Sequence, residues 1–162
     1  MEYKVILERL LVSLVVGGML GYEREHKNSP AGFRTHILVC LGATVVALIG
    51  EYDAIRVIGM SAAAGGSGVV KLDIGRLEAQ VISGVGFLGA GAILRDKGSV
   101  KGLTTAATLW IVACLGLAIG QGLYALGITG AIIVFITLTF LKRADRAISN
   151  RNKKEESEED EK

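Results

Sequence analysis

Residues Ala79 to Trp110 read AQVISGVGFLGAGAILRDKGSVKGLTTAATLW. An apolar segment crowded with glycine, Ser83 to Leu94, meets a short charged loop, Arg95 to Lys101, and from Leu103 a Thr/Ala-rich segment turns apolar again. Four glycines (Gly84, Gly86, Gly89 and Gly91) fall within eight residues. In water each would cost a helix about 1 kcal/mol relative to alanine. In a bilayer the backbone must satisfy its own hydrogen bonds, so the helix persists, and glycine becomes a place where a neighbouring helix approaches closely. The reading of this stretch turns on whether the chain lies in a membrane.

Composition answers that question. The chain has 162 residues, 51% of them hydrophobic, and a single proline, with a positive mean hydropathy. Its apolar residues come in long, nearly uncharged blocks: Val5 to Tyr22, Ile37 to Gly50, Leu77 to Leu94, Leu103 to Gly120 and Leu123 to Leu141. A helix needs about 20 such residues to cross a hydrocarbon core; the second block reaches that length if it starts near Ala31 or Thr35 and ends near Tyr52. The fold expected is all-α, a polytopic membrane bundle of five transmembrane helices over residues 1–141, followed by a charged, disordered cytoplasmic tail over 142–162. The first block has the apolar core of a signal peptide, but no small-x-small cleavage site precedes a soluble domain, so a retained helix is expected. No soluble C-terminal domain is expected either.

Orientation follows from Lys and Arg. With the N-terminus out and the C-terminus in, thirteen basic residues lie inside and five outside, as the positive-inside rule favours. The basic first part of the tail then lies on anionic headgroups, and its acidic end is solvated chain.

Several local features follow from residue type. Glu8 and Arg9, one turn into the first helix, neutralise one another or snorkel outward. Asn28-Ser29-Pro30 is a turn signal. In the outer loop, Glu51 to Glu78, the small-residue run Ile58 to Val70 reads as a short interfacial or re-entrant piece. Asp73 is placed to N-cap the third helix. On that helix Ala79, Ser83, Gly86 and Ala90 stand at i, i+4, i+7 and i+11 and form one small face; Gly84 and Gly91 mark a second, and Gly89 lies among them. Small residues on two sides imply a central helix, so leucine at Gly86 or Gly89 is expected to disrupt packing. Cys40 and Cys114 read as small apolar core residues. A weak internal echo pairs Gly32-Phe33-Arg34-Thr35 with Gly102-Leu103-Thr104-Thr105, Gly18 with Gly89, and Cys40-Leu41-Gly42 with Cys114-Leu115-Gly116, at offsets of 70 to 74.

The inner ends of the first four helices collect the strongest polar signals: Glu23, Arg24, Glu25, Arg34, Thr35, His36, Arg95, Thr104 and Thr105. Orientation alone explains Lys27, Lys97 and Lys101. Carboxylates add nothing to orientation, so Glu23, Arg24 and Arg34 point to a specific network, which needs good hydrogen-bonding geometry to offset desolvation. His36 is either a pH-sensitive group or an interfacial histidine bonded to a neighbour. A smaller outer cluster, Asp73, Arg76 and Gln80, lies on successive turns of the third helix.

Enzymatic readings find no support. There is no Ser/His/Asp or Cys/His set and no paired catalytic carboxylates, and the match of Gly84, Gly86 and Gly89 to GxGxxG lies in a membrane segment with no preceding strand. No cofactor, metal site or nucleic-acid partner is expected. Glu23 and Glu25, at i and i+2, point away from each other with Arg24 between them, a poor start for the octahedral oxygen shell of Mg²⁺.

Three segments, Gly21 to Ala43 (GYERE with AGFRTHILVCLGA), Arg76 to Leu94 (RLEAQVISGVGFLGAGAIL) and Gly98 to Trp110 (GSVKGLTTAATLW), together resemble the MgtC/SapB family of bacterial inner-membrane proteins. The resemblance implies a five-helix membrane domain with the C-terminus inside. Some members carry a cytoplasmic ACT-like domain after it, where this chain has its charged tail. The family is associated with growth in low magnesium and, in pathogens, survival inside macrophages. Its namesake looks like a regulator acting on membrane partners, the proton-translocating ATP synthase among them. The function expected is a non-enzymatic membrane protein that regulates or assembles with other membrane proteins, or with copies of itself, through closely packed helices. Its inner network would fix one packed state or respond to ions or pH. The alternative is a transporter or channel for a small solute or ion, with its pathway along the third helix.

Overall fold

A long apolar run with no breaker has one stable form in lipid, the helix, and helices dominate the chain. The computed structural model describes residues 2–63, 73, 75–96 and 99–140. Within them the order is α1 (Tyr3–Glu25), α2 (Phe33–Ala63), α3 (Gly75–Ala92), β1 (Leu94–Asp96), β2 (Ser99–Lys101), α4 (Leu103–Gly120) and α5 (Tyr124–Phe140). The all-α bundle expected from the sequence is present. Helices α1, α2 and α4 are long and apolar enough to cross a membrane, and α5 is a shorter apolar helix. Helix α3 has 18 residues but carries Glu78 in its first turn and several glycines, which dilute its apolar character. Leu7, Leu11, Val15, Leu38, Val45, Ile49, Ile132, Ile133 and Phe140 point outward. An apolar exterior on such helices makes this a multi-pass membrane protein. The charged tail expected over 142–162 lies outside the described residues.

Successive helices alternate in direction, and side-chain contacts fix which ends share a level. Ser29, in the α1–α2 turn, meets Thr105 in the first turn of α4, and Lys27 reaches the Leu138 carbonyl of α5. At the opposite end Arg9 of α1 meets Glu51 of α2, and Glu78 of α3 meets Gln121 after α4. One end, the basic end, therefore carries Arg24, Lys27, Arg34, Arg95 and Lys101.

Helix α4 is the axis of the bundle. It is apolar all round, LTTAATLWIVACLGLAIG, and most of its residues are buried, whereas most of those of α1 and α2 are not, as a helix without a polar face must be. Val112, Leu115 and Ile119 enter a core with Val16, Leu20 and Cys40 of α1 and α2 and with Ala131 and Leu138 of α5. Leu109, Ala113 and Leu117 enter a second core with Ala43 and Ala47 of α2 and Val85 and Ala92 of α3. This corrects the expectation that the third helix is central.

The glycines that bring helices together lie elsewhere than in the 83–94 stretch. A methyl group on Gly17 would stand 2.9 Å from the Cys40 Cβ and the His36 carbonyl, and one on Gly21 would stand 2.8 Å from the Phe33 Cα. A methyl group on Gly116 would stand 3.0 Å from the Ala43 Cβ, and one on Gly120 would stand 2.6 Å from the Ala47 Cβ. Gly17/Gly21 and Gly116/Gly120 are each four apart, the GxxxG spacing, and they press α1 and α4 onto two sides of α2. On α3, by contrast, Gly84, Gly86 and Gly91 have no neighbouring atom within 4 Å, and Ala79, Ser83 and Ala90 are exposed. Only the Val85, Gly89, Ala92 face of α3 is buried, with Gly89 against Ala106 of α4. The small residues of α3 thus occupy several faces, and the chain itself covers one.

Two further expectations change. Helix α2 runs to Ala63, 31 residues or about 46 Å, beyond the roughly 30 Å of a hydrocarbon core. Residues 51–58, EYDAIRVI, contain no proline or glycine to stop it, so the start of the supposed re-entrant piece is helix; its end, 64–70, lies outside the described residues. The charged loop after α3 is a short antiparallel hairpin, with Leu94 opposite Lys101, Arg95 opposite Val100 and Asp96 opposite Ser99. It ends at Gly102, whose φ of +90° suits glycine.

Replacing Gly17 or Gly116 with leucine is expected to lower the unfolding midpoint of the protein in detergent, at a cost of about 1–3 kcal/mol or more for the overlap. Gly86→Leu is expected to leave the midpoint of the single chain unchanged. The reverse order would overturn this account of the close contacts.

Candidate functional site

The basic end gathers most of the buried polar side chains of the bundle. Glu23 and Arg24, in the last turn of α1, are 7% and 6% exposed. Being adjacent on a helix, they would normally diverge, yet Arg24 folds back to place Nε 2.5 Å from Glu23 Oε2, with Nη2 on the same oxygen. Lys27, one turn on, brings Nζ to 2.5 Å from Glu23 Oε1 and donates to the Leu138 carbonyl at 3.2 Å. One carboxylate thus faces two cations, and the cluster keeps an excess positive charge where α1, its turn and α5 meet.

The turn that follows carries the network to α4. Asn28 has a φ of 51°, a left-handed conformation that asparagine tolerates, and Ser29 N–H closes back on the Arg24 carbonyl at 3.2 Å. This sets Ser29 Oγ 2.6 Å from Thr105 Oγ1. Beside them His36 is fully buried. Its Nδ1 lies 2.9 Å from the Gly32 carbonyl, which can only accept, so Nδ1 carries a hydrogen. Its Nε2 lies 3.2 Å from Thr108 Oγ1, and that hydroxyl is also 2.9 Å from the Thr105 carbonyl. A neutral ring and that carbonyl compete for the one Thr108 hydrogen; a ring protonated on both nitrogens would supply its own.

Of the residues expected to form the inner cluster, the structure joins Glu23, Arg24, His36 and Thr105. Glu25 lies at the same end but serves the backbone instead. Its carboxylate accepts from Phe33 N–H at 2.7 Å and caps the start of α2. Arg34, Thr35, Arg95 and Thr104 are exposed, and Arg34 makes no ion pair among the described residues, contrary to the network expected for it. Three members escape sequence reasoning. Orientation suffices to explain Lys27, although its i+4 spacing from Glu23 is the signal for a pair; Ser29 and Thr108 give no signal without the register of α4 against α2.

At the opposite end the expected cluster does not assemble. Arg76 and Gln80 are exposed, and Asp73 contributes its main-chain carbonyl to Arg76 N–H at 3.4 Å. A different cluster takes its place. Arg9 does not pair with Glu8 but crosses to Glu51 of α2, and donates to the Gly120 carbonyl of α4 at 2.7 Å. Gly122, with a φ of +79°, leaves room for this guanidinium. Gln121 Nε2 donates to Glu78 Oε1 at 2.5 Å and ties α3 to the same end. Glu51 escapes a hydropathy reading because its charge marks it as loop.

Between the two ends the buried hydroxyls are spent on helix carbonyls. Ser13 turns to Leu10, and Thr44 to Cys40 at 3.0 Å and Gly116 at 2.9 Å. Among the described residues no three His, Cys, Asp or Glu side chains gather into a set that could hold a metal ion.

With this geometry the chain can be set beside known proteins. The profile of the MgtC family matches residues 10–147. The putative magnesium transporter YhiD of Escherichia coli K12 is 35% identical over 144 residues, 89% of this chain and 64% of that protein. Protein SapB of Bacillus subtilis is 37% identical over 147 residues, 88% of this chain and 59% of that protein. Protein MgtC of Salmonella typhimurium LT2 is 36% identical over 141 residues, 86% of this chain and 54% of that protein. The chain thus spans less than two thirds of the length of each of these relatives. No solved structure matches it significantly.

The network makes a stability prediction. Glu23→Gln keeps the shape but leaves Arg24 and Lys27 without their counter-charge, and is expected to cost about 3–5 kcal/mol. Arg34→Gln should change the unfolding midpoint little. Equal effects in a detergent unfolding series would show that the Glu23 contacts carry no special weight.

Proposed function

The chain belongs to the MgtC family, and we propose that it is a non-enzymatic protein of the bacterial cytoplasmic membrane that regulates or assembles with other membrane proteins in adaptation to low magnesium or ionic stress. In this reading its basic end faces the cytoplasm and its N-terminus the outside, as the positive-inside rule favours. The partners are integral membrane proteins, a class that for the family includes the proton-translocating ATP synthase, and further copies of the chain.

The observation that carries the reading is the closure of the bundle axis. Between the two polar ends Gly17, Gly21, Gly116 and Gly120 bring the backbones of α1, α2 and α4 into contact, and Leu20, Cys40, Val112 and Ile119 fill the core between them. The hydroxyls along the way are bonded to helix carbonyls. One end is held by an ion pair between α1 and α2, and the other by the Lys27 and Ser29 bonds to α5 and α4. Such a body holds one shape and presents it to partners.

The name of the Escherichia coli relative motivates a second reading, a pathway for magnesium or another small ion. Mg²⁺ requires oxygen ligands, commonly one or two carboxylates with retained water. The buried carboxylate at the basic end, Glu23, already faces Arg24 and Lys27, which favours the first reading.

Purified protein in liposomes is expected to give no selective magnesium or proton flux above protein-free vesicles, and a photocrosslinker at Lys101 in native membranes is expected to recover the same membrane protein reproducibly, less so from Glu23→Gln. Robust selective flux would overturn the regulator reading. Recovery of self-crosslinks alone would overturn its partner half.

A further inference from the structure

Helices α2 and α3 diverge on the side away from α4 and leave a lateral groove of about 550 Å³, lined by Thr35, Leu38, Gly42 and Val46 of α2 and by Val81, Gly84 and Leu88 of α3, with Val39, Ala43 and Val85 at its floor. Gly42 and Gly84 deepen it: neither has an atom within 4 Å of where a side chain would begin. We propose that this groove holds an acyl chain of an anionic phospholipid from the leaflet at the basic end, with Arg34 and Arg95 facing its headgroup phosphate.

Three observations select that occupant. The first is length. From Thr35 to Val46 the groove runs eleven residues of helix, about 16 Å, close to half of a hydrocarbon core of roughly 30 Å. That is the depth of one leaflet, whereas a partner helix crossing the membrane would need a seam twice as long. The second is polarity. Every lining residue but Thr35 is apolar or glycine, and Thr35 stands at the basic end. The third is charge. Beyond that end of the groove the chain places Arg34, next to Thr35, and Arg95, on the strand after α3; both are exposed and neither makes an ion pair among the described residues. Two exposed guanidinium groups at the same end of the bundle as an apolar slot complement a phosphate above an acyl chain. The groove between α1 and α5, of about 380 Å³, provides the contrast: Leu11, Val12, Val15, Val16, Met19, Ile128, Ala131 and Ile132 line it without a glycine or a basic side chain.

The test is native mass spectrometry of the full chain released from nanodiscs of equal parts phosphatidylglycerol and phosphatidylcholine. The wild-type protein is expected to retain one phosphatidylglycerol at least fivefold over phosphatidylcholine. Gly84→Leu and Gly42→Leu, which fill the groove, should each abolish that retention. Arg34→Gln with Arg95→Gln should reduce the preference to near unity, and Val15→Leu, on the exposed side of the α1–α5 groove, should change nothing. Circular dichroism establishes that each variant is folded, and Arg34→Gln with Arg95→Gln, both exposed, keeps the test decisive if a leucine variant fails to fold. Equal retention of the two lipids by wild type, or retention unaffected by both leucine variants, would overturn the proposal. So would a dimer that Gly84→Leu disperses without altering lipid retention, since the groove would then belong to a second copy. None of these readouts depends on whether the protein regulates, assembles or transports.

Discussion

Everything in this bundle depends on how closely three helix backbones approach one another. In lipid there is no solvent to drive apolar surfaces together, so helices associate through van der Waals contact and hydrogen bonds that improve as the backbones close in. Gly17 and Gly21 let α1 down onto α2 at Phe33, His36 and Cys40; Gly116 and Gly120 let α4 down onto α2 at Ala43, Thr44 and Ala47. That approach makes the remaining contacts geometrically available. Thr44 reaches the Gly116 carbonyl of the neighbouring helix because α4 carries no side chain there. Arg9 reaches the Gly120 carbonyl past Gly122, where a side chain would crowd the guanidinium.

The polar groups follow from this closeness and reinforce it. A guanidinium or carboxylate at the edge of a hydrocarbon core is costly unless it finds partners, and both ends supply them from more than one helix. At one end Arg9 joins α1, α2 and α4; at the other Lys27 joins α1 to α5, while Ser29 joins the α1–α2 turn to α4. The register of the helices is therefore fixed twice, by glycines in the middle and by charges at the ends. The distance between the two sets of charges holds α1 and α2 to a definite depth in the bilayer.

Much of this is legible in the sequence, and the limits are instructive. The helices announce themselves because an uninterrupted apolar run has a single outcome in lipid, and α2 is cut short because its continuation carries Glu51, Asp53 and Arg56, which look like loop in a hydropathy reading. The network around Glu23 and Arg24 can be anticipated from a carboxylate that orientation does not require. Arg34 and Arg95 share the same end and the same charge, but their side chains face outward, a matter of helix phase that one sequence does not reveal. The glycines mislead in the same way. Density of glycine points to residues 84–91, whereas contact depends on which face of which helix turns inward, and Gly17, Gly21, Gly116 and Gly120 sit among bulky neighbours that make them inconspicuous. The pairing of Arg9 with Glu51, separated by 42 positions, needs the hairpin to be folded before it can be seen.

Helix α3 stands apart from this double fixing. It rests on α4 through Val85, Gly89 and Ala92 and is tied at one end by the exposed Glu78–Gln121 bond, but it enters neither ion-pair cluster and neither GxxxG contact. Releasing it would break none of the interactions that hold α1, α2 and α4 together, and stability is seldom uniform when contacts are so unevenly shared. The contacts thus divide the bundle unequally: α1, α2, α4 and α5 share the main core, while α3 hangs by one face, so that its detachment would be a separate step of lower cost. In hydrogen exchange, the amides of α3 would surrender first, ahead of a core that keeps its protons until the glycine contacts themselves part.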